Sequence, residues 1–332
     1  MQAPSHSDYV QTYFTLFELF EQEQNQKSHR GHPFNYPTKR LILFFTIMMI
    51  RRISAFKAQH RWLQQHPQGR QLLGFETIPD RSTLSRRYPT LYETCQAFIA
   101  FLGRWAEALA PEFDSQVLAE DASLFKAQGP VWHQVDRQAN RIPEKLRHLD
   151  TDASWGKSAY HGWVYGYSCH LTCNRSGFPK LVQVETASVD ESRVIDQKWE
   201  ALFALHPNAV VGDNAYFKAT RVRQWAAHGM ILVSPAAKWQ NGKYAQAYHR
   251  FLKQKDVHDW LKGRKTAIEP VFDLFSKVLG TANNHKQLPV QGLSKVRPFL
   301  CLGVLAVQIA MIVNNVFGLP FRQISLLLSV LS

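Results

Sequence analysis

The hydrophobic pattern of the chain changes its period near Ser115, and this change limits which folds are possible. Before it, apolar residues recur at helical spacing, as at Tyr13 and Phe17, which predicts helices. After it, short apolar runs alternate with turn residues and amphipathic stretches, which is typical of strands and helices in alternation. The sequence therefore predicts a helical region over residues 1–112 and an α/β domain over residues 113–332.

Five runs in the second region are predicted to be strands. Three come first, and the turn at residues 174–179 joins the last two as an antiparallel hairpin. Two short strands follow, each after a predicted helix, and a helix is expected from about Thr266 to Gly280. This is the order of an RNase H-like fold, a mixed sheet flanked by helices, and residues 132–158 are interpreted as a polar insertion. The predicted strands are Gln116–Leu124, Tyr160–Thr172, Lys180–Ala187, Ala209–Gly212 and Met230–Ser234.

Within the helical region, residues 79–87 predict the start of a helix, with Asp80 or Ser82 as its N-cap. Short helices with basic residues at a helix start suit a helix-turn-helix-like DNA-binding unit. An ordinary helical bundle with a polar face fits nearly as well. The basic residues of this segment are Arg81, Arg86 and Arg87.

The charge balance favours a polyanionic partner, because 39 Lys and Arg residues against 26 Asp and Glu residues give a formal net charge of +13. In the stretch 238–265, basic residues alternate with Trp239, Tyr244, Tyr248 and Trp260. Basic side chains hold phosphates and aromatic rings stack on bases, so we expect DNA contacts here; a solvated helical face is the alternative. The candidate contacts are Lys253, Lys255, Lys262, Arg264, Lys265 and, beyond the stretch, Lys277.

Neither a zinc site nor a membrane span is predicted. Cys169 and Cys173 lie four positions apart on a predicted strand, about 13 Å from each other, so they cannot share one tetrahedral ion. Buried, reduced thiols in a cytoplasmic protein are the better interpretation. The apolar runs Leu41–Ile50 and Phe299–Val316 are interpreted as buried core helices, the first being too short for a bilayer.

Two carboxylates lie where a site would be expected in such a sheet. Asp121 is inside the first predicted strand, where an ionised side chain is disfavoured unless something compensates its burial. Asp213 directly follows the fourth strand, at the sheet edge where ligands gather. The first and fourth strands of an RNase H-like sheet are neighbours, so the two like charges would meet and favour a divalent cation such as Mg²⁺ between them. The alternatives are an arginine partner for Asp121 and a simple strand-end turn at Asp213.

Here the sequence resembles the DDE transposases of bacterial insertion sequences, over most of its length. Pro79–Ser85 resembles the segment before their catalytic core, and Val117–Ser123 resembles their first catalytic strand. Tyr165–Leu171 is similar to the Gly-Tyr-x-x-His strand that follows, and Glu185–Ser192 to the stretch that enters the next helix. The order and spacing of these motifs are more specific than any one of them.

Two further segments resemble the remaining catalytic motifs. Gly212–Tyr216 is similar to the second, and Arg264–Phe272 to the third, in which an acidic residue lies in an Ile-Glu-x-x-Phe helix. The resemblance therefore implies a catalytic, metal-binding triad of Asp121, Asp213 and Glu269. The short gap between the last two leaves little room for an inserted domain.

The third motif departs from the family pattern. The family often has Arg four residues before the glutamate and Lys seven after it, where this chain has Lys265 and Ser276; Arg264 and Lys277 are each one residue away. Pro270 directly after Glu269 is also unusual. It fits a helix that begins at Thr266, and Thr266 with Glu269 would then form a capping box, which is the structural alternative for Glu269.

The resemblance implies two Mg²⁺ ions, which Mn²⁺ would replace, and in-line displacement at a DNA phosphodiester without a covalent protein–DNA intermediate. It implies as substrates the terminal inverted repeats of an element and a target DNA, paired by a protein dimer bound to the nucleoid in the cytoplasm. Two alternative functions stay open. One is a metal-dependent nuclease of the same fold that never joins strands, and the other is a DNA-binding regulator with an inactive core.

Overall fold

The computed structural model describes residues 3–24, 35–158, 162–236 and 242–331. The N-terminal region is helical, as the periodicity predicts. Asp80 is the N-cap of its fifth helix and accepts hydrogen bonds from the backbone N–H groups of Ser82 and Thr83. The helices are α1 (His6–Glu23), α2 (Thr38–Ile50), α3 (Phe56–Gln65), α4 (Pro67–Leu72), α5 (Arg81–Arg87) and α6 (Tyr92–Trp105).

A mixed six-stranded sheet follows. Its strands are β1 (Val117–Lys126), β2 (Ser154–Ser158), β3 (Gly162–Asn174), β4 (Pro179–Thr186), β5 (Ala209–Val211) and β6 (Ile231–Val233). β1 is central, antiparallel to β3 on one side and parallel to β5 on the other, and β6 continues parallel beyond β5. β4 pairs with β3 in the predicted hairpin. The order β4–β3–β1–β5–β6 is the predicted RNase H-like order.

One strand was not expected. β2 lies inside the segment interpreted as a polar insertion, and it pairs with the first half of β3, next to the stretch of β3 that pairs with β4. Only the register with β3 shows it, because residues 154–158 (Ser-Trp-Gly-Lys-Ser) lack the alternating apolar pattern of a strand.

Helices cover both faces of the sheet. The helices after β1 are α7 (Gln134–Gln138), α8 (Glu191–Gln197), α9 (Trp199–Phe203), α10 (Ala219–Ala227), α11 (Lys243–Leu252), α12 (Lys255–Leu279), α13 (Leu293–Val316) and α14 (Ser325–Leu331). Leu118 and Val210 pack with Ile195 and Trp225, which places α8 and α10 on one face. Val117 packs with Val257, which places α12 on the other.

α12 begins eleven residues before the predicted start at Thr266. Its N-cap is Gln254, so the predicted start is wrong and the alternative capping box between Thr266 and Glu269 does not form. The Thr266 hydroxyl donates to Gly263 O at 2.9 Å instead. Pro270 therefore lies inside the helix rather than in its first turn, and it leaves the carbonyl of Thr266 without its helical donor. Arg322 supplies one, through Nη1 at 3.2 Å.

The largest hydrophobic core joins the N-terminal helices to the sheet through α13. Almost every side chain of α13 from Val296 to Asn314 is buried. Of the described residues, only this helix has the length and hydropathy of a membrane span, and it is enclosed by the rest of the protein, as a core helix is. Cys95, Cys169, Cys173 and Cys301 are all buried and unpaired, as predicted.

Candidate active site

Consecutive carboxylates of β1 point to opposite faces of the sheet, because side chains alternate along a strand. Glu120 lies on the face of α8 and is completely buried, whereas Asp121 lies on the face of α12 and its side chain keeps 21% of its exposure. Glu120 is held by Lys198 at 2.6 Å and by the Thr172 hydroxyl at 2.5 Å. The two acids therefore have different environments although they are neighbours in sequence.

Asp121 and Asp213 come together through the parallel pairing of β1 with β5. Ala119 is opposite Val211, and each aspartate follows two residues later on its own chain segment. Asp213 turns the chain at the end of β5, where its Oδ1 accepts a hydrogen bond from Ala215 N at 2.8 Å. Burial raises the pKa of the Asp121 carboxyl, and the negative charge of Asp213 adds a smaller effect in the same direction. The two predicted carboxylates thus share one edge of the sheet.

Arg264 of α12 forms an ion pair with Asp121, with Nη1 2.5 Å from Oδ2. The arginine partner that the sequence left open as an alternative is therefore present, and so is the strand-end turn at Asp213. Burial is nevertheless the largest influence on Asp121, and it raises the pKa of the carboxyl against the opposing effect of the guanidinium.

Glu191, in the first turn of α8, is a third acid at this edge. Burial, followed by the charges of Asp213 and Asp121, raises the pKa of Glu191 to about 8. Tyr216 lies in the same environment, fully buried, and its hydroxyl has no hydrogen-bond partner among the described residues. Buried Arg221 links the segments that carry Glu191 and Tyr216, since its guanidinium donates to Ser192 O at 2.6 Å and also to Tyr216 O.

Glu269 is exposed, and its charge is not among those that most affect Asp121 or Glu191. It shares a flank of α12 with Asp273, which follows one turn later. Asp273 acts electrostatically on Lys286, and Lys286 donates to the Ser123 hydroxyl of β1 at 2.6 Å. Glu269 itself lies on the exposed surface of α12.

The donor set suits a hard divalent cation, because carboxylates that destabilise one another gain most from such an ion. Among the described residues, however, no three acidic, histidine or cysteine side chains already meet in a ligating arrangement. Asp121 and Asp213 are the candidate ligands of such an ion. Glu269 joins them only if its side chain turns toward β1.

The predicted DNA-binding residues separate into two groups. Arg81, Arg86, Lys253, Lys255, Lys262 and Lys265 are exposed. The others make contacts within the protein: Arg264 with Asp121, Lys277 with Asp273 at 2.8 Å, and Arg87 with the Thr38 hydroxyl at 3.1 Å. Of the aromatic residues in the same expectation, Tyr244 is exposed on α11 and Trp260 lies on α12. Tyr248 is buried, and its hydroxyl donates to Leu232 O at 2.8 Å, so its expected stacking on a base is wrong. Lys238 and Trp239 lie outside the described residues.

Sequence reasoning missed three residues around Asp121 and Asp213, which are Glu191, Arg221 and Lys286. Glu191 had a usable signal, since it lies in a segment that already resembled a family motif and directly follows Asp190 at a helix start. Arg221 and Lys286 had none. They reach the site through contacts with chain segments that are distant in sequence.

The α/β region of the chain matches a known family of proteins. The family model described as the transposase DDE domain matches residues 112–290, more than half of the chain. A structure of the Mos1 transposase paired-end complex with left transposon end is similar at 10% identity and a TM-score of 0.23, covering 84% of this chain and 98% of that one. A pre-cleavage Mos1 transpososome gives 10% identity and a TM-score of 0.21, covering 91% and 98%. No curated protein matches the chain.

Proposed function

This chain belongs to the family of transposases with a DDE domain, and from that premise we propose that it cleaves DNA at the inverted-repeat ends of an insertion sequence and joins them to a target. The observation that carries the proposal is the register of β1 with β5, which brings Asp121 beside the end of β5, where Asp213 follows. Burial raises the pKa of Asp121, and the charge of Asp213 adds to that effect. A site that only stabilised the fold would have little reason to keep such repulsion.

Asp121, Asp213 and Glu269 would hold two Mg²⁺ ions. When bound, these ions supply an activated water or DNA 3′-hydroxyl and stabilise the leaving 3′-oxygen. Glu269 reaches the site by a change of side-chain rotamer from its exposed flank. Arg264 neutralises Asp121 in the free protein, and it is placed to pair with a DNA phosphate once the carboxylate has another cation.

The exposed cations that follow α11 and lie on α12 support DNA as the partner. Lys253, Lys255 and Lys262 are exposed and lie before Arg264 on the same stretch of chain. Their charges would follow the phosphate backbone toward the carboxylates, independent of base sequence. Two ends are cut in one event, so we propose a homodimer on DNA, acting on the nucleoid in the cytoplasm.

The test uses the full chain and a plasmid that carries its gene with the flanking DNA. With Mg²⁺, the unmodified protein should cut at the element's ends and produce joined products, and with EDTA it should not. Glu269→Gln keeps the shape but removes the charge, so it should fold and bind DNA normally while cleavage falls by roughly three orders of magnitude, the size expected for losing a charge-stabilising group. Asp273→Asn, on the same flank, is the matched control and should cut normally.

The outcomes separate the alternatives. Normal cleavage by Glu269→Gln with loss in Asp273→Asn would assign the third ligand to Asp273, and loss in Glu191→Gln alone would assign it to Glu191. Cleavage without any joined product would indicate a nuclease. DNA binding with no Mg²⁺-dependent cleavage by the unmodified protein would contradict the proposal and favour a regulator.

A further inference from the structure

One stretch of β1 has no neighbouring strand on the side where β5 begins. β3 occupies one side of β1, and on the other side β5 pairs with it only as far as Ala119. The next backbone contact on that side is at Lys126, with the segment that follows α12. Among the described residues, no strand pairs with residues 120–125 there. Asp121 and Ser123 lie on this stretch, and both point to the face of α12 because side chains alternate along a strand.

Lys286 reaches this stretch from the segment after α12. Its Nζ donates to the Ser123 hydroxyl at 2.6 Å and lies 5.7 Å from the centroid of the Phe125 ring. Ser123 is two residues from Asp121, which is about 7 Å along a strand. Asp121 is also among the charges that act on Lys286. The ammonium therefore lies on the same face of β1 as Asp121 and close to it.

The backbone holds the Lys286 side chain in this place at a conformational cost. His285 and Lys286 have φ values of 46° and 58°, and they are the only consecutive non-glycine residues of the described chain in the left-handed region. Such conformations persist where the surroundings fix them. Here Lys286 N donates to Thr281 O at 3.0 Å, and Lys286 O accepts from Lys126 N at 2.9 Å. The turn is therefore held on both sides of Lys286.

Lys286 has no acidic partner among the described residues. An ammonium has three N–H donors, and the Ser123 hydroxyl takes one of them. Burial lowers the pKa of Lys286, and the charges of Asp273 and Asp121 oppose that effect without forming an ion pair with it. Lys277 differs, because it is exposed and pairs with Asp273 at 2.8 Å. The remaining donors of Lys286 are left for an anion beside Asp121.

We propose that Lys286 binds a backbone phosphate of the DNA strand that is cut, a short distance from the phosphate at Asp121 and Asp213. The inference rests on the proposed function, because that function places the cleaved phosphodiester at the two aspartates. It adds which residue sets the position of the strand over them. The side chain is already fixed by Ser123 and the turn, so binding costs little rotamer entropy.

The spacing along β1 limits which phosphate this is. From Asp121 to Ser123 the strand covers about 7 Å, and stacked nucleotides advance about 3.4 Å each. The phosphate at Lys286 should therefore lie within about two nucleotides of the cleaved one. The exposed lysines after α11 and on α12 would contact the DNA backbone farther from the cut.

The test measures binding of the full chain to a duplex that carries the element's end, without divalent ions, so that no strand is cut. One phosphate at a time is replaced by an uncharged methylphosphonate. With the unmodified protein, one position within about two nucleotides of the element's end should lose about tenfold in affinity, as expected for a hydrogen bond to a charged group. Lys286→Met keeps the aliphatic stem and removes the charge. It should bind the unsubstituted duplex about tenfold more weakly and lose nothing further at that position.

Lys126→Met is the matched control, because Lys126 is an exposed lysine of β1 on the opposite face from Asp121. It should lose affinity at the same position as the unmodified protein. Ser123→Ala removes only the hydroxyl that holds the amine, so it keeps the inference testable if Lys286→Met fails to fold. Its loss at that position should be smaller than that of the unmodified protein.

The inference is overturned if no position near the element's end shows a loss. It is also overturned if Lys286→Met, or Ser123→Ala where the first variant does not fold, shows the same loss as the unmodified protein. Mg²⁺-dependent cleavage is measured on the same preparations. Cleavage without any such position would overturn this inference alone, whereas the sensitive position without any cleavage would overturn the proposed function alone.

Discussion

Glu120 and Asp121 are neighbours on one strand, yet the sheet gives them opposite roles. Glu120 is buried on the α8 face, where Lys198 and the Thr172 hydroxyl donate hydrogen bonds to its carboxylate oxygens. Asp121 lies on the α12 face at an open edge, partly exposed, and it meets another acid as well as an arginine. A buried, fully paired carboxylate is a structural group. A partly exposed carboxylate that faces a second acid is a candidate for metal binding.

The comparison shows that burial does not by itself identify a functional acid. Burial raises the pKa of both carboxyls. In both, a cation has the largest effect after burial, Lys198 for Glu120 and Arg264 for Asp121. The distinguishing features are the strand register that brings Asp213 beside Asp121, and the exposure that Asp121 keeps and Glu120 lacks.

The largest effect expected from this comparison is on the Glu120 side. Glu120→Leu should lower the free energy of unfolding by about 3–5 kcal/mol, because Lys198 would be left as an unpaired buried charge. Adding Lys198→Met should recover most of that loss. Urea unfolding of the single and double variants measures both. If Glu120→Leu unfolds like the unmodified protein, the pair is not the structural element that the comparison assumes.

A smaller effect concerns His170, which lies on the same face as Glu120 and is completely buried. Burial, reinforced by Lys198, lowers the pKa of His170 to about 3. The unfolded chain takes up a proton near pH 6.5 and the folded chain does not, so stability is complete above pH 6.5 and falls as the pH drops toward 3. Between pH 7 and pH 5, protonation of His170 in the unfolded chain should lower the free energy of unfolding by about 2 kcal/mol.

The measurement is the free energy of unfolding in urea at pH 7 and pH 5, for the unmodified protein and for His170→Gln. The variant should lose about 2 kcal/mol less over that interval, since its side chain does not titrate. An identical loss in both proteins would show that His170 takes up its proton in the folded state as readily as in the unfolded chain. Its contact with Ser168 would then not keep the imidazole neutral.

The elements that the sequence predicted well are those whose signal is local. The strand order follows from short apolar runs and turn residues, and the helices of residues 1–112 follow from helical spacing, as at Tyr13 and Phe17, which are both buried. The start of α12 was predicted wrongly for the same reason. Thr266 and Pro270 are local signals for a helix start, and the polar turns before them carry no apolar stripe strong enough to outweigh those signals.

The site divides in the same way. Asp121 and Asp213 could be predicted because each lies at a recognisable strand position, and the topology brings those positions together. The pairing of Arg264 with Asp121 joins residues 143 apart, and Lys286 reaches Ser123 over 163. Such contacts depend on how helices pack on the sheet, which no pattern within one segment determines. The role of Glu269 stays a prediction, since it requires a side chain to turn.

The central claim is that Asp121 and Asp213 hold metal directly, and replacing each in turn with cysteine tests it most directly. Mg²⁺ takes oxygen ligands, whereas Mn²⁺, a first-row transition metal, also binds where sulfur is a ligand. Cleavage of the element-bearing plasmid is measured with each ion. The unmodified protein should cut with both, and Asp121→Cys and Asp213→Cys should cut with Mn²⁺ but not with Mg²⁺. Equal loss of cleavage with both ions would contradict direct metal binding by these two residues.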